Sequence, residues 1–384
     1  MVASANSPLS RPQPSAAEAL TSFRAYTMAH PRLMEAKDQL LRAISGAEPG
    51  SLIFVFGPTG VGKTTLRLKL EQLLMQEALP AGTCDPGQMP VVSLEAMAAL
   101  SGNFSWKDYF TRLLREMNEP LINRKLRRDP ADLEGPANLH FAVGPRASGF
   151  ELQYAVEQAL RFRRARAVFV DEAQHLGRVA SGRRLSDQLN IVKSIANRTA
   201  AVHVLVGTYE LLPFRNLSGQ LSRRSVDVHF SRYTSEDDGD VETFKNVLLT
   251  FQEHLPAASF DLLDRWDFLY ERSIGCVGIL KNWLLCALTE AFGDGDAAVT
   301  PRSLERTALS VSQCEKILAE TIDGEAQLAE GEGRSRLRNL LGLSLDMPRV
   351  AKTSKASAPR LRRRAAGQRR PKRDPIGNAV QAFA

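Results

Sequence analysis

Apolar residues recur along the chain in two rhythms. Leu20 and Phe23, then Leu33, Ala36, Leu40, Leu41 and Ile44 after the His30-Pro31 break, step by threes and fours and predict amphipathic helices. A Glu48-Pro49-Gly50 turn then leads into an unbroken run, Leu52-Ile53-Phe54-Val55-Phe56. A short continuous apolar run bounded by glycine predicts a strand buried on both faces, as in a parallel sheet. Runs at 91–94, 167–170, 202–206 and 226–230 read the same way, and helical patterns at 64–77 and 151–161 lie among them. Strands alternating with helices predict a five-stranded, doubly wound parallel α/β sheet. From residue 235 the pattern is helical throughout. Val241, Phe244, Val247, Leu248 and Phe251 share one face, 277–292 forms a second amphipathic helix, and Thr300-Pro301 opens a third. The helical rhythm fades near Ile322, where Gly, Glu and Arg take over. The expected organisation is a leader over 1–15, a helical segment over 16–50, an α/β domain over 51–233, a small helical domain over 234–330 and a tail over 331–384, leader and tail without stable structure.

With 384 residues there is enough chain for an α/β core and a satellite domain, and 43% apolar with 24% charged residues suits a soluble protein. The longest apolar runs are too short to cross a bilayer, and the first residues lack the basic start and apolar stretch of a secretory signal, so a cytoplasmic setting is expected. Cys84, Cys276, Cys286 and Cys314 show no paired spacing for zinc or disulfides. The last three fall in apolar helical stretches and are expected to be buried thiols. Charge is uneven. Residues 349–384 hold eleven Lys or Arg and one Asp, so that stretch carries +10 of the net +7 and residues 1–348 carry −3.

The decisive motif is Gly57-Pro58-Thr59-Gly60-Val61-Gly62-Lys63-Thr64, followed by Thr65, between a predicted buried strand and a predicted helix. In such a phosphate loop, glycines let backbone N–H groups curl around phosphates, the lysine reaches the β- and γ-phosphates, and the hydroxyl of Thr64 serves Mg²⁺. ATP and Mg²⁺ are the expected ligands. Asp171-Glu172 closes the third strand: Asp171 is the candidate for the Mg²⁺ shell and Glu172 for the base that polarises water. Gln174 and His175 complete a helicase-like Asp-Glu-Ala-Gln-His, but no second RecA-like lobe accompanies it. The fourth strand ends in Gly207-Thr208, where a polar side chain either orients the attacking water or simply ends a strand. Arg223 and Arg224 precede the last strand and are either arginine fingers for a neighbouring subunit or a solvated surface pair.

Together these features resemble AAA+ P-loop NTPases, specifically the TnsC/TniB group of DNA transposition regulators, over about residues 20–330. The resemblance rests on the phosphate loop, Ser105-Trp106-Lys107-Asp108-Tyr109-Phe110, Val170 to His175, Val206 to Leu211, Gln220 to Arg224, and a lid-like Gly275-Cys-Val-Gly278-Ile-Leu-Lys281. It implies an ATPase that forms rings or helical filaments around duplex DNA, receives a target-selection factor, often of the TniQ type and including CRISPR-associated ones, and recruits a transposase. Hydrolysis then times disassembly. It also implies sequence-neutral DNA contacts at Lys107 and Ser148, with Arg146 close by. One departure stands out: Gly278 occupies the place where many AAA+ lids carry an arginine toward the γ-phosphate, which leaves Lys281, one turn along, as its substitute. Arg124, Lys125, Arg127 and Arg128 are either a DNA contact or a solvated loop. The basic tail is a nonspecific polycation, a DNA clamp or a transposase-binding peptide. Competing readings are a helicase loader or replication initiator, and a secretion or signalling NTPase acting on protein partners.

Overall fold

The computed structural model describes residues 15–78, 85, 87–98, 104–122, 147–177, 185–216, 225–256, 260–329 and 337–343. Cys84, residues 124–128, Arg146, Arg223, Arg224, residues 1–14 of the expected leader and the basic tail beyond 343 lie outside them, while Ser15, the leader's last residue, caps the first helix. The chain divides into two compact units, Met1–Leu328 and Ala329–Ala384. In the second, residues 337–340 make a helical turn that leaves Leu337, Leu340, Leu341 and Leu343 exposed.

The first unit is built on a parallel five-stranded sheet. Its strands are β1 (Leu52–Phe56), β2 (Val91–Glu95), β3 (Ala167–Asp171), β4 (Val202–Gly207) and β5 (Ser225–His229), in the order β2-β3-β4-β1-β5. Every residue of β1, β3 and β4 is buried, as their unbroken apolar runs require, whereas the edge strand β5 is buried fully only at Val228. Between the strands run α3 (Lys63–Ala78), α4 (Trp106–Glu116), α5 (Gly149–Phe162), α6 (Leu185–Thr199) and the short α7 (Leu212–Arg215). They separate the core into one layer with α4, α5 and α6, and another with α3 on the opposite sheet face.

Helices α1 (Ala16–Ala25) and α2 (Pro31–Gly46) divide their loyalties. Leu33, Ala36 and Leu40 of α2 pack with β1 and α3, while Phe23 of α1 joins a third core formed by the helices after β5. Those helices are α8 (Asp238–His254), α9 (Trp266–Ser273), α10 (Val277–Asp294), α11 (Pro301–Thr307) and α12 (Val311–Leu328). Thr300 caps α11 in a capping box with Pro301 in its first turn. On α8 the buried stripe is Phe244, Val247, Leu248 and Phe251, with Asp240 buried at its start and Val241 only partly covered. Asp240 receives a forked pair of bonds from Arg32 at 2.8 and 2.9 Å, which ties α2 to α8.

Two expectations are corrected here. The helical run extends past Ile322 to Leu328, because Thr321 and Gly324 bury a polar-looking turn against the α/β core. Cys276 and Cys314 are buried, but Cys286 is exposed: it falls on the side of α10 opposite Leu284, Ala287 and Leu288. Among the described residues no single helix is long and apolar enough to cross a membrane.

Candidate nucleotide site

In a parallel sheet the carboxyl ends of all strands share one edge, so segments distant in sequence meet there. β4 lies between β1 and β3, with Phe56 beside Gly207 and Val170 beside Leu205. The phosphate loop follows β1, Asp171-Glu172 end β3, and Thr208 follows β4. The three candidate segments therefore converge on one edge.

In the loop, Gly60 and Gly62 take left-handed φ values of 75° and 116°, a conformation that costs side-chain-bearing residues energy. Lys63 is 7% exposed, and its Nζ donates to the carbonyl oxygens of Gly57 and Pro58 at 3.0 and 2.8 Å. Burial pushes its ammonium down to about 8, against the opposing pull of Glu172 and Asp171. A buried cation satisfied only by its own loop is available to a phosphate oxygen. The hydroxyl of Thr64 donates to Asp171 Oδ2 at 3.0 Å, so the two residues predicted to serve a metal already touch. A hydroxyl and a carboxylate make an all-oxygen donor set that suits a hard cation such as Mg²⁺. The glycine cradle and this donor set both fit a nucleotide with its magnesium.

Arg67 belongs to no sequence motif. It lies one turn after Thr64 on the same face of α3, and its Nε donates to the same Asp171 oxygen at 3.1 Å while its guanidinium also reaches Glu71 and Ser93. The other Asp171 oxygen accepts the Glu172 N–H at 3.0 Å. Glu172 itself adopts φ 50°, unusual for a residue with a side chain, and its carboxylate accepts a bond from Gln174 Nε2. The Thr208 N–H donates to Gln174 Oε1 at 3.4 Å, in a 3₁₀ turn that opens at Tyr209.

The lid-like segment is latched onto the loop. The Ile279 N–H donates to the Gly60 carbonyl at 3.0 Å. A Cβ on Gly278 would stand 2.3 Å from that carbonyl oxygen, so no side chain fits where an arginine was missing from the pattern. Lys281 lines the cavity, but its Nζ donates to the Arg24 carbonyl at 3.0 Å, which turns it toward α1. The whole site forms a cavity of ≈ 690 Å³. One wall had no sequence signal at all: α12 contributes Glu320, Thr321 and Asp323.

The predicted DNA contacts sit together at the start of α4 and α5. Lys107 is exposed in the first turn of α4. Ser148 caps α5, its Oγ accepting the Glu151 N–H; its own N–H donates to the Glu151 carboxylate, and the backbone and hydroxyl of Ser148, with Lys107 nearby, hold that carboxyl below the usual range. Arg146, Arg223 and Arg224 fall outside the described residues.

Residues 47–214 match the family described as AAA domain. The strand order, the loop after β1 and the acidic pair after β3 are those of an AAA+ P-loop NTPase fold. A search of curated proteins returned no match. Similar solved structures include Drosophila ORC bound to DNA, 13% identical over 80% of this chain and 68% of that one, with a TM-score of 0.49. The Aeropyrum pernix ORC2 protein in ADPNP–ADP complexes is 16% identical over 76% and 71%, at 0.46. A Walker-type ATPase of Pyrococcus abyssi is 16% identical over 84% and 80%, at 0.45.

Proposed function

We propose that this chain is an ATP-hydrolysing AAA+ switch that assembles on duplex DNA and links a target-selection factor to a transposase. The observation that carries the ATPase reading is the contact of Thr64 with Asp171 beneath the phosphate loop, with Glu172 next in line. Gly57 to Thr65 hold the phosphates of ATP, with Lys63 turning from its loop carbonyls to the β- and γ-phosphates. Thr64 and Asp171 would hold Mg²⁺, which when bound would supply neutralisation of phosphate charge. Glu172 takes the proton of the attacking water, and Thr208 orients that water from the neighbouring strand. Arg224, with Arg223 beside it, reaches the nucleotide of the adjacent subunit, so assembly depends on the γ-phosphate. Lys281 serves the lid side of the site, and the helices from 234 to 330 act as that lid.

The transposition role, the TniQ-type and transposase partners and the cytoplasmic setting rest on the order of motifs that resembles the TnsC/TniB group. DNA contact is assigned to Lys107, Ser148 and Arg146, which bind phosphates without reading bases. The acidic Glu151 beside Ser148 leaves Lys107 as the stronger contact of the described pair.

The test is fluorescence anisotropy on unrelated DNA duplexes with ATP, ADP or no nucleotide, for the full chain and for residues 1–348. ATP-dependent binding by the shorter chain on every duplex supports the reading. Nucleotide-independent binding that vanishes with the tail overturns it and favours an NTPase acting on protein partners. In the same assay, Lys63→Ala loses ATP binding and assembly together, and Glu172→Gln binds ATP yet stays on DNA. A Glu172→Gln chain that hydrolyses ATP at the normal rate removes Glu172 from the mechanism.

A further inference from the structure

We propose that Gln174 is a positioning residue for hydrolysis, one that aims the Glu172 carboxylate by bridging it to the tip of β4. This rests on the reading of Glu172 as the base. A single side-chain amide makes both connections. Its Nε2 donates to Glu172 Oε2 at 2.5 Å, and its Oε1 accepts the Thr208 N–H at 3.4 Å. The chemistry of the two ends differs, because an ionised carboxylate needs a donor and a peptide N–H needs an acceptor. The primary amide of Gln174 supplies both from one planar group.

The fold keeps room for that amide. A Cβ on Gly207 would stand 2.3 Å from Gln174 Oε1, so the last residue of β4 has to be glycine for the bridge to seat. The main chain of Glu172 is fixed separately, at φ 50° with its N–H on Asp171 Oδ1 at 3.0 Å. A strained backbone needs neighbours that over-determine it, and here Asp171 holds the main chain while Gln174 holds the side chain. With Oε2 taken by Gln174, the lone pairs of Oε1 remain for water. Gln174 and Thr208 both line the cavity with Glu172, so the bridge forms part of the wall that faces the nucleotide space. It also couples the two strand ends: a shift of Thr208 passes to Glu172 through one rigid group.

The experiment uses the full chain with DNA and compares wild type with Gln174→Ala, Gln174→Met, Gln174→Glu and Glu172→Gln. Steady-state ATP hydrolysis gives kcat and KM, a fluorescent ATP analogue gives affinity, and thermal melting reports folding. Loss of the bridge is expected to lower kcat by about 10- to 100-fold, a part of what a positioned base supplies. KM and analogue affinity stay within about twofold, since no phosphate contact is removed. The order of the variants is the diagnostic. Glu has the shape of Gln but sets a carboxylate against Glu172, so Gln174→Glu falls at least as far as Gln174→Ala. A merely structural role gives the opposite order, with the isosteric Glu and the volume-matched Met mildest. That order, or kcat near wild type in Gln174→Ala, overturns the proposal. If Glu172→Gln is inactive while the Gln174 variants are normal, only the bridge fails. If Glu172→Gln is active, or the wild type hydrolyses no ATP, the underlying reading fails with it.

Discussion

Gly278 shows how a single missing atom decides a contact. The phosphate loop and the start of α10 are joined by the Ile279 N–H on the Gly60 carbonyl, and the Gly278 backbone passes so close that a Cβ would meet that oxygen at 2.3 Å. Gly278→Ala forces the two apart. It is expected to cost about 1–3 kcal/mol as an overpacking change, read as a lower melting temperature, and to weaken ATP binding as the latch opens. Unchanged stability and affinity would mean that the latch is not part of the working protein. The sequence displays this glycine and hides its reason, since the close approach joins segments more than two hundred residues apart. Arg67 was hidden differently. Its i, i+3 spacing from Thr64 was there to be read, but a cation next to a candidate metal ligand has no motif. Lys281 was legible as a basic residue near the site, and its bond to the Arg24 carbonyl was not.

At the scale of elements, the strands were legible nearly to the residue because three are buried on both faces, which leaves an unbroken apolar run as their signature. Helix α12 was legible only as far as Ile322. Beyond that point its contacts are mixed: Gly324 lies against the Tyr209 ring, Glu325 takes a forked pair of bonds from Arg232 at 3.1 and 3.2 Å, and Leu328 packs against the α/β core. No sustained apolar periodicity marks the turns after Ile322. The pair is mostly covered, with side chains 12% and 24% exposed, so removing one partner strands the other. Arg232→Ala and Glu325→Ala are each expected to cost about 1–3 kcal/mol in urea unfolding. The double variant should cost clearly less than the two added together. Additive losses would show that the two residues stabilise α12 independently. Because α12 also walls the nucleotide cavity, the same variants are expected to change ATP affinity, which an isolated surface ion pair would not.

For the molecule as a whole, the buried histidines set how stability responds to acid. His203 is 1% exposed near the start of β4 and its Nδ1 meets only the Ala201 carbonyl; burial pushes it down to about 4. His30, 5% exposed, stands between the Tyr233 hydroxyl and the Phe230 ring, and burial pushes it to about 4 as well. Both values lie below the 6.5 of an unfolded histidine, so the unfolded chain binds more protons between about pH 6.5 and 4. Their contribution is therefore fully present above pH 6.5 and is lost as pH falls toward 4, on the order of 3 kcal/mol for each site. The ion pairs of the surface also weaken on the lower part of this range, so the comparison that isolates the effect is differential. His203→Leu removes one proton-binding site from the unfolded chain and keeps an apolar group in the sheet. Its stability relative to wild type, from urea unfolding at pH 7.5 and pH 5, should improve as the solution is acidified. A constant difference at the two pH values would show that His203 titrates alike in both states. The same two measurements decide whether the core around β4 is as dry as its unbroken burial implies, because a water-accessible imidazole would keep its ordinary affinity for the proton.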